Sequence, residues 1–196
     1  MKNFVYLASQ SPRRRQLLEQ VGVQYELLLA SSEEDAEALE VTLPGEAPLA
    51  YVKRVTHLKL EAAVQRMKIR GLPHAPVLCA DTTVALGRQI LGKPENEKDA
   101  LRILQTLSGQ THRVLTAVAV ASGRRRLASV SISHVTFATL KLADMKAYIN
   151  TGEPMGKAGA YGVQGLAAAY ISKIKGSYSG IMGLPLFETA ELLKQI

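Results

Sequence analysis

Apolar positions along the chain switch between two periods, and the switches mark its elements. Phe4 to Ala8 is a short continuous apolar run that reads as a strand. It gives way at Ser9-Gln10-Ser11 to a helical pattern from Pro12 to about Val21, which Gly22 would end. Tyr25 to Ala30 reads as a second strand, and the acidic stretch Glu33 to Glu40 as a loop. From Pro48 to Ile69, the residues Leu49, Val52, Val55, Leu58, Ala62 and Val64 recur near helical spacing. Lys53, Arg54 and Lys59 fall mostly off that stripe. Ala75 to Asp81 is again continuously apolar until its final acid, as expected of a strand buried on both faces.

Asn96 opens a helix with Asp99 three residues on, an approximate capping box, and the pattern ends near Leu107 to Gly109. Arg113 to Ala121 and Leu127 to Thr139 read as paired strands around a basic turn. In the second, Val130 and Ile132 share one parity while Val135 and Phe137 take the other, which predicts a bulge near His134. A short helix from Asp144 to Ile149 leads into a glycine-dense region, Gly152 to Gly183, with a strand expected from Ala168 to Ile174. A last helix starts at Pro185. Strands that alternate with helices early and pair as antiparallel neighbours later predict a mixed α/β sheet.

Composition narrows the setting. The chain has 196 residues, 47% of them hydrophobic, enough to bury a sizeable core and consistent with a single domain over 1–196. One cysteine, Cys79, excludes an internal disulfide and a multi-cysteine zinc site, and points to a reducing, cytoplasmic location. No apolar run approaches the roughly 18 residues of a membrane span, and no targeting segment is legible. The formal net charge of +7 asks for an anionic partner. The densest basic runs are Arg13-Arg14-Arg15 and Arg124-Arg125-Arg126, and the second reads as a solvated hairpin turn.

The first basic run sits at the expected start of a helix, where the dipole disfavours cations unless an anion joins them. Pro12 suits the first helical position and Ser11 the N-cap before it. Backbone N–H groups at such a turn, small serines and guanidinium forks together can cradle phosphate. An ordinary capped helix with exposed arginines fits the same residues. Asp81, delivered by an apolar strand and followed by Thr82 and Thr83, would sit at a sheet rim, able to bind a divalent cation or take a proton from water. It would equally cap the next turn. Lys93 can meet phosphate or simply lie exposed, and Lys59 reads as a lysine stretched along its helix. Gln164, among the glycines of Gly156 to Gly165, offers a donor and an acceptor suited to a base edge. No metalloprotease, Walker A or nucleophile-elbow pattern occurs, and the four histidines lack metal-ligand spacing.

Taken together, "LASQSPRR", "CADTTV", "LGKP", "LSGQTHRVLTAVAV", "GKAGAYGVQG" and "GSYSGIMGLPL" resemble the Maf family of nucleoside triphosphate pyrophosphatases over Phe4 to Leu193. The resemblance implies a mixed twisted sheet with flanking helices, two lobes around a cleft as in the inosine triphosphatase group, and commonly a homodimer. It implies hydrolysis of a nucleoside triphosphate to monophosphate and pyrophosphate with Mg²⁺ or Mn²⁺. Asp81 would be the proton acceptor and a metal ligand, with Glu34 sharing the metal. Ser9, Arg13, Arg14, Lys59 and Lys93 would line the phosphate path. Arg13, Thr82 and Gln164 match positions associated with choosing dTTP and UTP, which places the chain in that branch. Asn96 and Gly156 stand where relatives often carry aspartates, and the second change removes an auxiliary carboxylate. A basic chain also suits nucleic-acid binding, although 5% aromatic content offers little for base stacking. The family name carries a third reading, a role in cell division without turnover.

Overall fold

The computed structural model describes residues 4–31, 34 and 38–196. Its strands are β1 (Phe4–Leu7), β2 (Gln24–Leu27), β3 (Val77–Leu86), β4 (Gln89–Leu91), β5 (Thr111–Ser122), β6 (Arg125–Phe137) and β7 (Ile171–Lys175). They form one mixed sheet ordered β2–β1–β3–β5–β6–β7, with β4 attached to β3. The helices are α1 (Pro12–Gln20), α2 (Pro48–Ile69), α3 (Glu97–Leu107), α4 (Leu142–Asn150), α5 (Tyr178–Met182) and α6 (Leu186–Lys194). β1 runs parallel to both β2 and β3, and every other pairing is antiparallel. The mixed α/β expectation holds. No helix among the described residues is long and apolar enough to cross a membrane.

β3 is long enough to serve three clusters of the core. Leu78 and Ala80 on one face pack with Leu17, Leu18, Val118 and Leu193, while Val77 and Cys79 on the other meet Leu60, Ala63 and Val64 of α2. Beyond the midpoint, Val84 joins a separate cluster with Leu91, Ile103, Leu104, Val114, Phe137 and Tyr148. β3 and β5 contribute to all three clusters, and β6 contributes to the first and the last through Leu127, Val135 and Phe137.

Several expectations shift. The run expected to stop at Asp81 continues to Leu86, so Asp81 lies inside a strand, opposite Ala117 of β5. No bulge occurs near His134, because β5 and β6 stay in register from Thr111/Thr136 to Ser122/Arg125. The buried face of β6 is Ser131, Ser133, Val135 and Phe137, and Ile132 is exposed. Serines are buried there because glycines press on them: a Cβ on Gly176 would come within 2.6 Å of Ser133 Oγ, and one on Gly180 within 3.3 Å of Ser131 Oγ. The irregularity lies instead between β6 and β7, at Thr136/Phe137. Ala168 to Ile174 divides into a 3₁₀ turn at Leu166–Tyr170 and then β7, and α5 was not anticipated. On α2, Leu49 and Leu58 are exposed, and Tyr51, Leu60, Ala63 and Met67 complete the buried stripe instead. The acidic loop ends in a 3₁₀ turn at Ala38–Glu40; Glu33 and residues 35–37 lie outside the described residues.

Candidate active site

The outer edge of β3 is left open over a few residues. β1 stops opposite Leu78, and antiparallel β4 reaches back along β3 only as far as Val84, which pairs with Leu91. Between them Cys79 to Thr83 have no strand beside them on that edge, which is how a residue in mid-strand still lies past the C-terminal end of a parallel pair. A cavity of about 630 Å³ occupies the gap. Asp81 lines it, and so do Ser9, Arg13, Arg14, Lys59, Thr82, Lys93 and Gln164. Residues scattered over more than 150 positions thus share one space, Glu34 being the expected site residue that is not among its lining.

Strand alternation divides the work at the edge. Asp81 turns to the α2 face, where Lys59 Nζ donates to its Oδ1 at 2.6 Å. Thr82 turns to the opposite face, where its hydroxyl lies 3.4 Å from Arg14 Nη2 and 3.0 Å from Thr116 Oγ1. Thr116 in turn donates to the Gly180 carbonyl at 2.7 Å, tying β3 and β5 to α5.

On the α2 face, charges form a chain. Lys59 Nζ also donates to Glu40 Oε1 at 2.6 Å, and Glu40 Oε2 accepts from Lys93 Nζ at 2.9 Å. Burial opposes charge on Lys59, but the Asp81 and Glu40 carboxylates outweigh it and raise its pKa. Burial likewise opposes ionisation of Glu40, and Lys59 and Lys93 overcome it, so its pKa falls. Lys59 is therefore no surface lysine stretched along its helix. Glu40 was invisible in the sequence because its partners lie 19 and 53 positions away and nothing in an acidic loop distinguishes one glutamate from the next.

The arginines at the start of α1 find backbone carbonyl acceptors at the end of α5. Arg14 Nε donates to the Gly183 carbonyl at 2.7 Å and Arg13 Nε to the Met182 carbonyl at 3.2 Å. Carbonyls at a helix C-terminus attract cations, which offsets the unfavourable position on α1. Ser11 occupies the N-cap position with extended backbone, yet its hydroxyl makes no capping bond. Ser9 Oγ acts instead, accepting from Ser11 N–H at 3.2 Å and from Arg14 Nη1 at 3.0 Å. Arg13 has no carboxylate partner among the described residues. Burial and the neighbouring Arg14 charge both lower its pKa, and an incoming anion would relieve that repulsion.

Gln164 is exposed at the cavity wall on the loop following the 3₁₀ turn Ala158–Ala160. Behind this loop His112 Nε2 lies 2.8 Å from the Tyr161 hydroxyl, and the two rings pack edge-on with Phe137. His112 is buried, its Nδ1 has no hydrogen-bond partner among the described residues, and burial lowers its pKa to about 4, so it is neutral. Asn96 caps α3 as expected, its Oδ1 accepting from Asp99 N–H at 3.0 Å. In the basic hairpin, Arg126 pairs with Glu61 at 2.5 Å and Arg125 donates to the Gln195 carbonyl, so two of those three arginines are already engaged.

Glu34 lies with Arg66, whose Nη2 and Nε donate to its carboxylate at 2.6 and 2.8 Å, and that bonding holds its pKa at about 2. Among the described residues no three His, Cys, Asp or Glu side chains converge as a metal cage. The donors suit a cation carried largely by phosphate. Asp81 Oδ2 has no hydrogen-bond partner among the described residues, and Mg²⁺ commonly takes only one or two carboxylates beside phosphate oxygens and water.

A family model described as "Maf-like protein" matches residues 4–196. The chain is 66% identical over 192 residues to a protein of Polaromonas sp. (strain JS666 / ATCC BAA-500) named dTTP/UTP pyrophosphatase, covering 98% of this chain and 95% of that one. It is 63% identical to a protein of the same name from Albidiferax ferrireducens, covering 99% and 97%, and 61% identical to one from Cupriavidus pinatubonensis, covering 100% and 98%. Among solved structures, the Staphylococcus aureus Ham1 protein aligns with a TM-score of 0.45 and 12% identity, over 69% of this chain and 72% of that one. With a family model spanning all but its first three residues, the chain belongs to the Maf family.

Proposed function

We propose that this protein is a nucleoside triphosphate pyrophosphatase that hydrolyses dTTP and UTP to the monophosphate and pyrophosphate. The observation that carries the reading is the single cavity that Asp81 lines together with Arg13, Arg14, Lys59, Lys93 and Gln164. The name shared by relatives at 61–66% identity supports the same substrates.

In this reading Asp81 takes the proton of a water that attacks the α-phosphorus, and the bond to the pyrophosphate oxygen breaks. Lys59 fixes the carboxylate in direction. Arg13 supplies charge to the phosphates, and Lys93 joins it by exchanging its Glu40 contact for phosphate, since charge stabilisation dominates such reactions. Ser9 and Thr82 hold Arg14, which shapes the cavity floor. The residue that would hold a divalent cation is Asp81, and Glu34 can join it only by leaving Arg66. Such a cation, when bound, neutralises charge on the phosphate oxygens. Gln164 reads the base, its amide matching O4 and N3–H of uracil or thymine. A homodimer in the cytoplasm completes the proposal, following the family resemblance.

The test is pyrophosphate release from a panel of nucleoside triphosphates with Mg²⁺ or Mn²⁺. Fast release from dTTP and UTP, and slow release from CTP, ATP and GTP, is expected. No release from any of them, combined with tight salt-dependent DNA binding, would replace this reading with nucleic-acid binding.

A further inference from the structure

Gln164 stands on a loop with no regular structure of its own, between the 3₁₀ turns Ala158–Ala160 and Leu166–Tyr170. Two side chains hold that loop in place. Tyr148 on α4, only 2% exposed, accepts from the Gly162 N–H at 3.3 Å and donates from the same hydroxyl to Glu153 Oε1 at 2.8 Å. Glu153 Oε2 accepts from the Leu166 N–H at 2.9 Å. The loop is therefore pinned two residues before Gln164 and two residues after it.

The glycines around Gln164 belong to the same device. A Cβ on Gly165 would collide with both carboxylate oxygens of Glu153, and one on Gly162 would come within 3.5 Å of its Oε1. The chain can thus close directly onto the carboxylate. Lys157 adds a bond from its Nζ to the Glu153 carbonyl. Burial opposes charge on Glu153, but the Leu166 N–H and the Tyr148 hydroxyl outweigh it and lower its pKa, so at neutral pH it is an acceptor only.

We propose that Tyr148 and Glu153 are positioning residues for base selection, holding the Gln164 loop where its carboxamide can tell uracil or thymine from cytosine. The proposal rests on the reading of Gln164 given above. Turned over, an amide presents the reverse order of donor and acceptor, so glutamine by itself matches either pyrimidine. Discrimination then depends on where the loop holds it, and hydrogen bonds weaken steeply with small errors in placement.

The test is the ratio of kcat/KM for UTP to that for CTP, with pyrophosphate inhibition as a separate readout of the phosphate end. Glu153→Ala and Tyr148→Phe should each lower the ratio by roughly tenfold, while pyrophosphate inhibition stays within about twofold. Glu153→Gln keeps an acceptor oxygen and should lose less. In a Gln164→Ala background, Glu153→Ala should change the ratio no further, because the two residues act through one contact. Tyr148→Phe conserves the ring and gives the answer if Glu153→Ala does not fold. A wild-type ratio in the folded variants, or an equal loss with and without Gln164, would overturn the proposal alone. An unchanged ratio in Gln164→Ala itself would overturn the base reading, and this proposal with it.

Discussion

Lys59 and Asp81, 22 positions apart, meet at 2.6 Å across the interface of α2 and the open edge of β3, each largely withdrawn from solvent. The contact orients the carboxylate, and Glu40 on the other side of the same ammonium completes a charge-compensated row. Removing one partner of such a pair leaves an uncompensated charge. Lys59→Met should therefore cost about 3 kcal/mol of stability, read by denaturant unfolding, and lower kcat/KM by at least roughly a hundredfold. Stability within about 0.5 kcal/mol of wild type would mean that the row contributes little.

Asp81→Asn conserves shape and removes the proton acceptor. We expect kcat for pyrophosphate release to fall by about 10²- to 10⁴-fold, with an unchanged circular dichroism spectrum. Turnover close to wild type would remove Asp81 from the chemistry.

Arg14 serves three acceptors at once: the Gly183 carbonyl, Ser9 Oγ and Thr82 Oγ1. A lysine has the charge but lacks the planar fork that spans them. Arg14→Lys should lower stability by about 1–2 kcal/mol, seen as a drop in Tm, and raise KM several-fold. An unaltered Tm together with an unaltered KM would show that charge alone is needed there.

His112 links stability to pH. Its folded-state pKa, about 4, lies below the ordinary value of 6.5, because burial disfavours the charged ring. In the unfolded chain the ring takes up a proton as pH falls through 6.5, while the folded ring stays neutral until about 4. Stability from this residue is thus complete above pH 6.5 and is lost as pH falls towards 4, by roughly 3 kcal/mol in all. Urea unfolding at pH 7.5 and pH 5 should show a smaller difference for His112→Gln than for wild type. Equal differences would mean that other groups set the acid sensitivity.

Much of this protein was legible in one dimension. Amphipathic spacing located α2, the Asn96 cap marked α3, and the two long strands paired as their apolar runs implied, because periodicity and capping are local properties. The cavity residues were named by the resemblance of the motif stretches to the Maf family, since local chemistry by itself left Asp81, the arginines and Lys93 open to ordinary structural readings and took Lys59 for a stretched lysine. What spacing could not carry were contacts between distant elements. Glu40 shares Lys59 with Asp81, Glu34 turns to Arg66, Ser9 rather than Ser11 holds the first turn, and Glu153 seats the Gln164 loop. Asp81 itself was recognised, but not its setting. It lies in mid-strand on an edge left open because the β1 pairing ends at Leu78 and the β4 pairing reaches no further than Val84. The sequence motifs therefore named the groups, and packing decided their partners, since a side chain's charge is written in the sequence while its neighbours depend on how the sheet and helices close together.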